Sequence, residues 1–161
     1  MKSLTLYGAI TLTGLSAGLF YAWAVSVIPG ILKVNDITYL QTMQAINRAI
    51  LNPAFYLVFF GSLVLLALAT ICQYRAGATF WIILVAAVLY LMGTFGVTAF
   101  GNVPLNDQLD VLDLTELSTT KLKVFRKHYE TKWNRLHMIR TVFSVASFMT
   151  ALLTVFISTK P

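Results

Sequence analysis

Four long apolar runs limit what this sequence can fold into. They cover residues 4–28, 53–72, 79–100 and 134–158, and the first three contain no charged residue. A helix of about 20 residues spans the roughly 30 Å hydrocarbon core of a bilayer. Because a segment in lipid must pair its own backbone N–H and C=O groups, each run is predicted to be helical. The sequence therefore predicts an all-α fold, an integral membrane four-helix bundle that forms a single domain over residues 1–161.

The composition also favours a membrane protein over a water-soluble one. Hydrophobic residues make up 58% of the chain and charged residues 11%, whereas soluble domains average about 25% charged residues. The net charge of +6 would raise the question of nucleic acid. The aromatic residues, however, lie inside the apolar runs and not among the basic residues, where a base-stacking surface would need them. We therefore expect membrane lipids as partners and no nucleic acid.

The three connections between the spans differ in length and character. The shortest, Gln73 to Ala78, predicts a tight turn, so the second and third spans form an antiparallel hairpin. The first connection has apolar residues at helical spacing, which predicts a short amphipathic helix over residues 37–51, capped by Asn35 or Asp36. Residues 101–133 are predicted to be a loop followed by an interfacial helix that runs on into the fourth span.

The basic residues suggest an orientation. With four spans, both termini and the short turn share one side of the membrane, and the two long connections share the other. Most Lys and Arg residues lie in the long connections, so the positive-inside rule places these in the cytoplasm. We expect a multi-pass protein of a bacterial inner (plasma) membrane with cytoplasmic long connections.

Small residues recur every four positions on the first span, at Gly14, Gly18 and Ala22. Such a stripe lets a neighbouring helix backbone approach closely. Packing within the bundle is one use of the stripe, and a homo-oligomer seam is the other. The single cysteine, Cys72, excludes an intrachain disulfide.

One face of the fourth span is polar although the span enters hydrocarbon. At about 100° per residue, a single stripe collects Arg126, Glu130, Trp133, His137, Arg140, Ser144 and Ser147, with Asn134 beside it. A polar stripe in lipid is expected to face the bundle interior or a water-filled cavity. Snorkelling of the side chains to the headgroups is the alternative. Because the polar groups keep to one face, we favour an interior site, with Glu130, Asp107 or asparagine side chains offsetting the Arg140 charge.

Polar residues of the two long connections lie at the same level, because both connections are on one side of the membrane. For each asparagine alone, a helix cap or a turn is a sufficient explanation. Their clustering predicts one cavity mouth formed by Asn47, Asn52, Asn102, Asn106, Trp133, Asn134, His137 and Arg140.

Several common sites have no motif in this sequence. The Glu-x-x-His pairs of a di-iron bundle do not occur, and the two histidines, His128 and His137, are nine residues apart. A Gly-rich phosphate loop and a Gly-x-Ser-x-Gly elbow do not occur either. We therefore expect neither a bis-His haem nor a His-rich metal site.

Three segments together are similar to a known family. They are LQTMQAINRAILNPAF (residues 40–55), GNVPLNDQL (residues 101–109) and WNRLHMIRT (residues 133–141). They resemble the DUF1772 or anthrone oxygenase-like family of four-helix membrane proteins, and the resemblance covers nearly the whole chain. It implies the membrane fold and the oxidation of anthrones to anthraquinones by O₂, without a metal or an organic cofactor.

The chemistry implied by this resemblance assigns roles to residues of the polar stripe. His137 would be the general base that forms an enolate, Arg140 with Asn134 or Asn106 would stabilise the oxyanion, and Trp133 would stack on the substrate. The remaining substrate-binding candidates are Asn47, Asn52, Asn102 and Glu130. Two other functions stay open: binding of a lipid or quinone-like ligand without turnover, and a structural or accessory membrane subunit.

Overall fold

The computed structural model describes residues 2–158, and within them it contains helices and no strand. The α-helices are α1 (Lys2–Ala22), α2 (Ile28–Ile31), α3 (Asp36–Ala49), α4 (Pro53–Cys72), α5 (Ala78–Leu89), α6 (Val103–Asp110) and α7 (Thr119–Ser158). Wider π-helical segments join some of them, at Trp23–Val27, Tyr90–Gly96 and Thr98–Asn102.

Four continuous helical stretches are long and apolar enough to cross a membrane. They are Ser3–Ile31, Pro53–Cys72, Ala78–Asp110 and Thr119–Ile157. The chain is therefore an all-α, multi-pass membrane protein, and the predicted fold class is confirmed. Within the bundle, α1 packs against α4 and α7, and α5 packs against α4 and α7.

The turn between α4 and α5 is as tight as the sequence predicts. Arg75 and Gly77 both have positive φ angles, 74° and 58°. Gly77 lacks a Cβ and adopts this backbone conformation without steric cost. The second and third spans consequently form the predicted antiparallel hairpin.

The predicted amphipathic helix is α3, and it covers one end of the bundle; we call this helix the roof. The side chain of Asn35 caps its start by accepting a hydrogen bond from the Thr38 N–H. Its buried face carries Tyr39, Leu40 and Met43, which pack in one cluster with residues of α6 and α7. The helix ends at Ala49, two residues before the predicted end.

The predicted loop after the third span is shorter than expected, because residues 101–110 are helical. Proline in a helix normally clashes with the carbonyl four residues before it and lacks an N–H donor. Pro104 follows the π-helical segment Thr98–Asn102, and Pro29 likewise follows Trp23–Val27. In a π-helical turn the hydrogen bonds run five residues back, so the backbone is wider where each proline ring enters. The irregular connection is therefore confined to residues 111–118.

The interfacial helix and the fourth span form one rod, α7, of 40 residues. At 1.5 Å per residue it is roughly 60 Å long, about twice the hydrocarbon thickness. Its first turns lie beside α3, where Arg126 bonds the carbonyl oxygens of Leu32 and Val34 and the carboxylates of Asp36 and Glu130. These bonds tie α7 to the connection between α2 and α3.

Glycines allow close approach of helices at two places in the bundle. A Cβ at Gly93 would overlap the ring of Phe143, and a Cβ at Gly14 would lie 3.0 Å from the ring of Phe148. Gly14 therefore packs against α7 within the bundle. At Gly18 a Cβ would meet nothing within 4 Å, and Ala22 is exposed. A homo-oligomer seam along this stripe stays a prediction.

Candidate functional site

The polar stripe of α7 faces the interior of the bundle, as predicted. Trp133 is 3% exposed, Arg140 is 9% exposed, and His137, Ser144 and Ser147 have no exposed surface. Snorkelling to the headgroups is excluded for these residues. Their burial places charged and polar groups where lipid cannot reach them.

A cavity of about 190 Å³ lies above this part of α7, beneath α3 and α6. Its floor consists of His137 and Arg140, and its aromatic walls are Phe20, Trp23, Phe55 and Trp133. Its rim consists of Asn47, Arg48, Asn106, Asp107 and Asp110, of which the three charged residues are exposed. The lining is completed by Leu19, Ile46, Ile50, Leu51, Thr98 and Val103.

The guanidinium of Arg140 has an unusual set of neighbours. Its Nε and Nη2 lie 3.1 and 2.8 Å from Nδ1 of His137. Its Cζ lies 4.7 Å from the ring centre of Phe20 and 5.1 Å from that of Trp133. Two aromatic faces thus offset part of the charge through their quadrupoles.

Glu130, Asp107 or asparagine side chains were expected to offset the charge of Arg140, and within the described residues none of them bonds to it. Among residues 2–158, no carboxylate oxygen lies within 4.0 Å of Arg140. Glu130 instead pairs with Arg126 at 2.9 Å, because it lies almost three turns away from Arg140 along α7. Asp107 lies at the rim of the cavity. The cavity therefore has a cationic floor without a matching anion.

The hydrogen bonds of His137 determine which ring nitrogen carries the proton. A guanidinium can only donate, so Nδ1 of His137 accepts from Arg140. The Phe20 carbonyl can only accept, so Nε2, 3.1 Å away, donates to it. The ring also stacks on Trp133, with centroids 5.1 Å apart and planes at 4°. His137 is thus a neutral imidazole with its proton on Nε2.

A separate hydrogen-bonded chain holds the two asparagines of the rim. The indole N–H of Trp133 and the hydroxyl of Tyr129 both donate to Oδ1 of Asn106, at 2.8 and 3.1 Å. The amide nitrogen of Asn47 donates to the Tyr129 oxygen at 3.1 Å. This chain connects α3, α6 and α7 at the rim. Both asparagines are half-buried and line the cavity.

Four of the residues predicted for the site lie elsewhere. Asn52 caps α4 by accepting from the Phe55 N–H, and Glu130 is bonded to Arg126. Asn102 is fully buried and donates to the Trp133 carbonyl at 3.3 Å. Asn134 is half-exposed and does not line the cavity, because its position is about 100° away from Trp133 around the helix. The predicted convergence of all these asparagines is therefore wrong, and Asn47 and Asn106 are the two that reach the cavity.

Several lining residues were missed in the sequence. Phe20 and Phe55 are apolar residues inside apolar runs, so the pattern does not distinguish them from lipid-facing ones. Trp23 lies near the end of a span, where tryptophan is typical of a membrane interface, so its position in the sequence does not indicate that it points inward. Arg48 and Asp110 form an exposed ion pair across the rim, and only their contact in space identifies them.

The geometry suits a flat apolar ligand that carries a negative or strongly polar oxygen. Aromatic walls can stack on its rings, and the unpaired guanidinium can bind the oxygen. Among residues 2–158, no group of three or more His, Cys, Asp or Glu side chains could hold a metal ion.

The comparisons with known proteins add one positive finding. A family model described as anthrone oxygenase matches residues 42–150. This range is well over half of the chain and contains most of α3, all of α4 to α6 and most of α7. Neither the comparison with curated proteins nor that with solved structures found a match.

Proposed function

We propose, because this chain belongs to the anthrone oxygenase family, that it oxidises a lipophilic aromatic ketone of the anthrone type with O₂. The observation that carries the proposal is the buried guanidinium of Arg140, which faces the cavity and has no carboxylate partner in the described part of the chain. A cation held in this way favours a substrate that becomes negative during the reaction.

The role of Arg140 is to stabilise the enolate oxygen. An anthrone has an acidic methylene group on the ring opposite its carbonyl, and loss of a proton places negative charge on the carbonyl oxygen. Preorganised donors in a water-poor site stabilise such an oxyanion more than water does. The two N–H groups of Arg140 that donate to His137 in this structure would donate to this oxygen instead.

His137 is the proposed general base, and Nδ1 is the atom that accepts the proton. In this structure Nδ1 is covered by Arg140, so the guanidinium must move onto the substrate before Nδ1 becomes available. The hydrogen bond from Nε2 to the Phe20 carbonyl holds the ring and stabilises the imidazolium that forms. The same movement of the Arg140 guanidinium therefore binds the oxyanion and exposes Nδ1 of His137 as the base.

The oxidation balances without an added reductant. The enolate carbon forms a bond to O₂ and gives a hydroperoxide after protonation by the imidazolium. Loss of the second hydrogen from that carbon and cleavage of the O–O bond give the quinone carbonyl and one water molecule. The methylene carbon is oxidised, and O₂ is reduced in both of its atoms. Arg140 and His137 supply charge stabilisation and proton transfer, and O₂ is soluble in the surrounding lipid.

The test is O₂ uptake by purified protein in nanodiscs supplied with anthrone, with anthraquinone followed by absorbance. Arg140→Gln is expected to lower kcat/KM about 10²- to 10³-fold, the usual effect of losing an oxyanion donor. Arg135→Gln is the matched control, because Arg135 is exposed on the same helix. Its rate is expected to equal that of the unmodified protein. Uptake no faster than in empty nanodiscs would contradict the proposal.

Ligand binding without turnover is the second candidate, and one observation favours it. The imidazole of His137 has no exposed surface, so a ligand that leaves Arg140 in place would find no base. In that case quinones would bind in the cavity while anthrone would be oxidised only at the background rate. Normal turnover by His137→Ala would show that another group takes the proton.

A further inference from the structure

We infer that Asn47 makes this cavity selective for ligands that carry a hydroxyl group at the end remote from Arg140. The inference deepens the proposed function, on which it rests for the aromatic scaffold of the ligand. It assigns a specificity-determining role to Asn47, with Asn106, Tyr129 and Trp133 positioning its amide.

The orientation of the Asn106 amide follows from its partners. The indole N–H of Trp133 can only donate, so the Asn106 atom 2.8 Å away is the oxygen. The Tyr129 hydroxyl lies 3.1 Å from the same atom and donates to it as well. With its oxygen bonded twice, Asn106 has its NH₂ group left over.

The orientation of Asn47 follows in turn. A tyrosine hydroxyl has one hydrogen, and that of Tyr129 is used on Asn106. Tyr129 must therefore accept from Asn47, so the Asn47 atom 3.1 Å away is the NH₂ nitrogen. The oxygen of the Asn47 amide is left over, and Asn47 lines the cavity. In the described part of the chain, neither leftover group has a hydrogen-bond partner.

These groups make the two ends of the cavity different in hydrogen-bonding character. Its floor presents the Arg140 guanidinium, a donor, and its rim presents the Asn47 oxygen and the Asp107 carboxylate, which are both acceptors. Tyr129, which bonds Asn47, precedes Trp133 by about one turn of α7, and Cζ of Arg140 lies 5.1 Å from the ring centre of Trp133. A ligand that fits both ends has an acceptor oxygen at one end and a hydroxyl at the other. A methyl ether at that end would leave the Asn47 oxygen unpaired.

The probes are 2-hydroxyanthraquinone and 2-methoxyanthraquinone, which differ in one hydrogen-bond donor. A hydroxyl at position 2 is too far from the ring carbonyls to bond to them internally. Binding is measured in nanodiscs by quenching of tryptophan fluorescence, because Trp23 and Trp133 line the cavity. A Trp81→Phe background removes an exposed tryptophan from the signal. Affinities are corrected for partition into empty nanodiscs, at about pH 6, where phenols keep their proton.

The hydroxyl probe is expected to bind about 5- to 10-fold more tightly than the methoxy probe. Asn47→Leu is expected to abolish this preference, whereas Asn47→Asp, which keeps an acceptor, is expected to retain it. Gln44→Leu is the matched control, because Gln44 lies on the same helix but bonds the carbonyls of Leu109 and Leu112 away from the cavity. It is expected to lower stability and leave the preference unchanged.

Equal affinity of the unmodified protein for the two probes would overturn the inference. A preference that survives in Asn47→Leu would overturn it too. Because neither probe reacts with O₂, the result is independent of turnover. A hydroxyl preference that depends on Asn47, without any O₂ uptake, would refute the proposed oxygenase and keep the inference. Normal O₂ uptake without that preference would do the opposite.

Discussion

The two ends of the bundle differ in how their buried polar side chains are hydrogen-bonded. The packed end, beside the short turn, has a core that includes Leu66, Ala69, Ile83, Ala86 and Ala151. The cavity end, beneath α3 and α6, contains the residues that line the cavity. In the packed end buried hydroxyls donate to backbone carbonyls, as in the bond from Thr13 to the Ala9 carbonyl at 2.7 Å and from Ser147 to the Ala86 carbonyl at 2.8 Å.

Unpaired buried atoms occur in the cavity end and midway between the two ends. Four buried side-chain atoms have no partner among residues 2–158, and they belong to Trp23, Thr94, Asn102 and Ser144. Trp23 lines the cavity, and the other three lie within about one helical turn of a lining residue along the chain. Because lipid cannot satisfy polar groups, unpaired atoms are costly, and the unpaired indole N–H of Trp23 at the cavity indicates a site that a ligand or water completes.

The largest loss of stability is expected from a methyl group added at the closest helix contact below the cavity. Gly93→Ala would place a methyl group within the Phe143 ring, so α7 and the third span must separate. We expect a loss of about 3 kcal/mol of unfolding free energy, the upper part of the usual overpacking range, measured by thermal unfolding in detergent. Gly18→Ala, which adds a methyl group in open space, is the control and should leave the Tm unchanged. Equal Tm values for the two variants would contradict close packing at Gly93.

A second variant tests whether the charges around α3 are structural. The Arg126 side chain is 13% exposed and pairs with Asp36 at 3.0 Å and Glu130 at 2.9 Å. Arg126→Gln leaves both carboxylates without their cation, and we expect a loss of about 2 kcal/mol. Lys127→Gln removes an exposed charge at the next position and is expected to change little. A loss as large for Lys127→Gln would show that overall charge, not these bonds, stabilises the roof.

A substitution of Arg140 is expected to have the opposite effect to that of Arg126, because it should lower activity and leave stability nearly unchanged. Its charge is buried, and residues 2–158 provide no carboxylate partner for it, so removing it also removes a desolvation cost. We expect Arg140→Gln to change the unfolding free energy by less than about 1 kcal/mol while it lowers kcat/KM about 10²- to 10³-fold. A loss as large as that of Arg126→Gln would instead make Arg140 a structural residue and favour an accessory subunit.

Much of the fold could be predicted, because the spacing of apolar and polar residues along the chain indicates which segments lie in lipid and which lie in water. The spans, the hairpin turn and the amphipathic helix follow from apolar runs in lipid and from the cap at Asn35. The course of the chain through Pro104 could not be predicted, because a proline normally ends a helix and nothing in the sequence marks the π-helical segment before it. Boundaries after the third span were wrong for this reason.

The site was predictable where one helix carries it. The stripe from Trp133 to Arg140 could be predicted from the rotation of about 100° per residue in a helix. Its inward orientation follows from the cost of placing a charge in lipid. The partners of that stripe come from other helices, and their choice depends on distances in space. The backbone carbonyl of Phe20 that accepts from His137 has no sequence signature. Asn52 and Asn102 have the same residue type as Asn47, so type alone could not separate a cap from a rim residue.

The smallest expected effect lies at an exposed position of the loop between the third span and α7. The Thr115 hydroxyl and then the Thr115 backbone N–H donate to the Asp113 carboxylate, and they lower the pKa of Asp113. A lowered pKa in the folded state contributes stability above the ordinary Asp pKa of about 3.9, and this contribution is lost as the pH falls through the folded value. Asp113→Asn should therefore lower the Tm slightly near pH 7, and the difference should vanish below that value, where the unmodified side chain is also neutral. Because Asp113 is solvent-exposed, water screens the effect and keeps it small. An equal difference at both pH values would assign the contribution to the shape of the side chain and not to its charge.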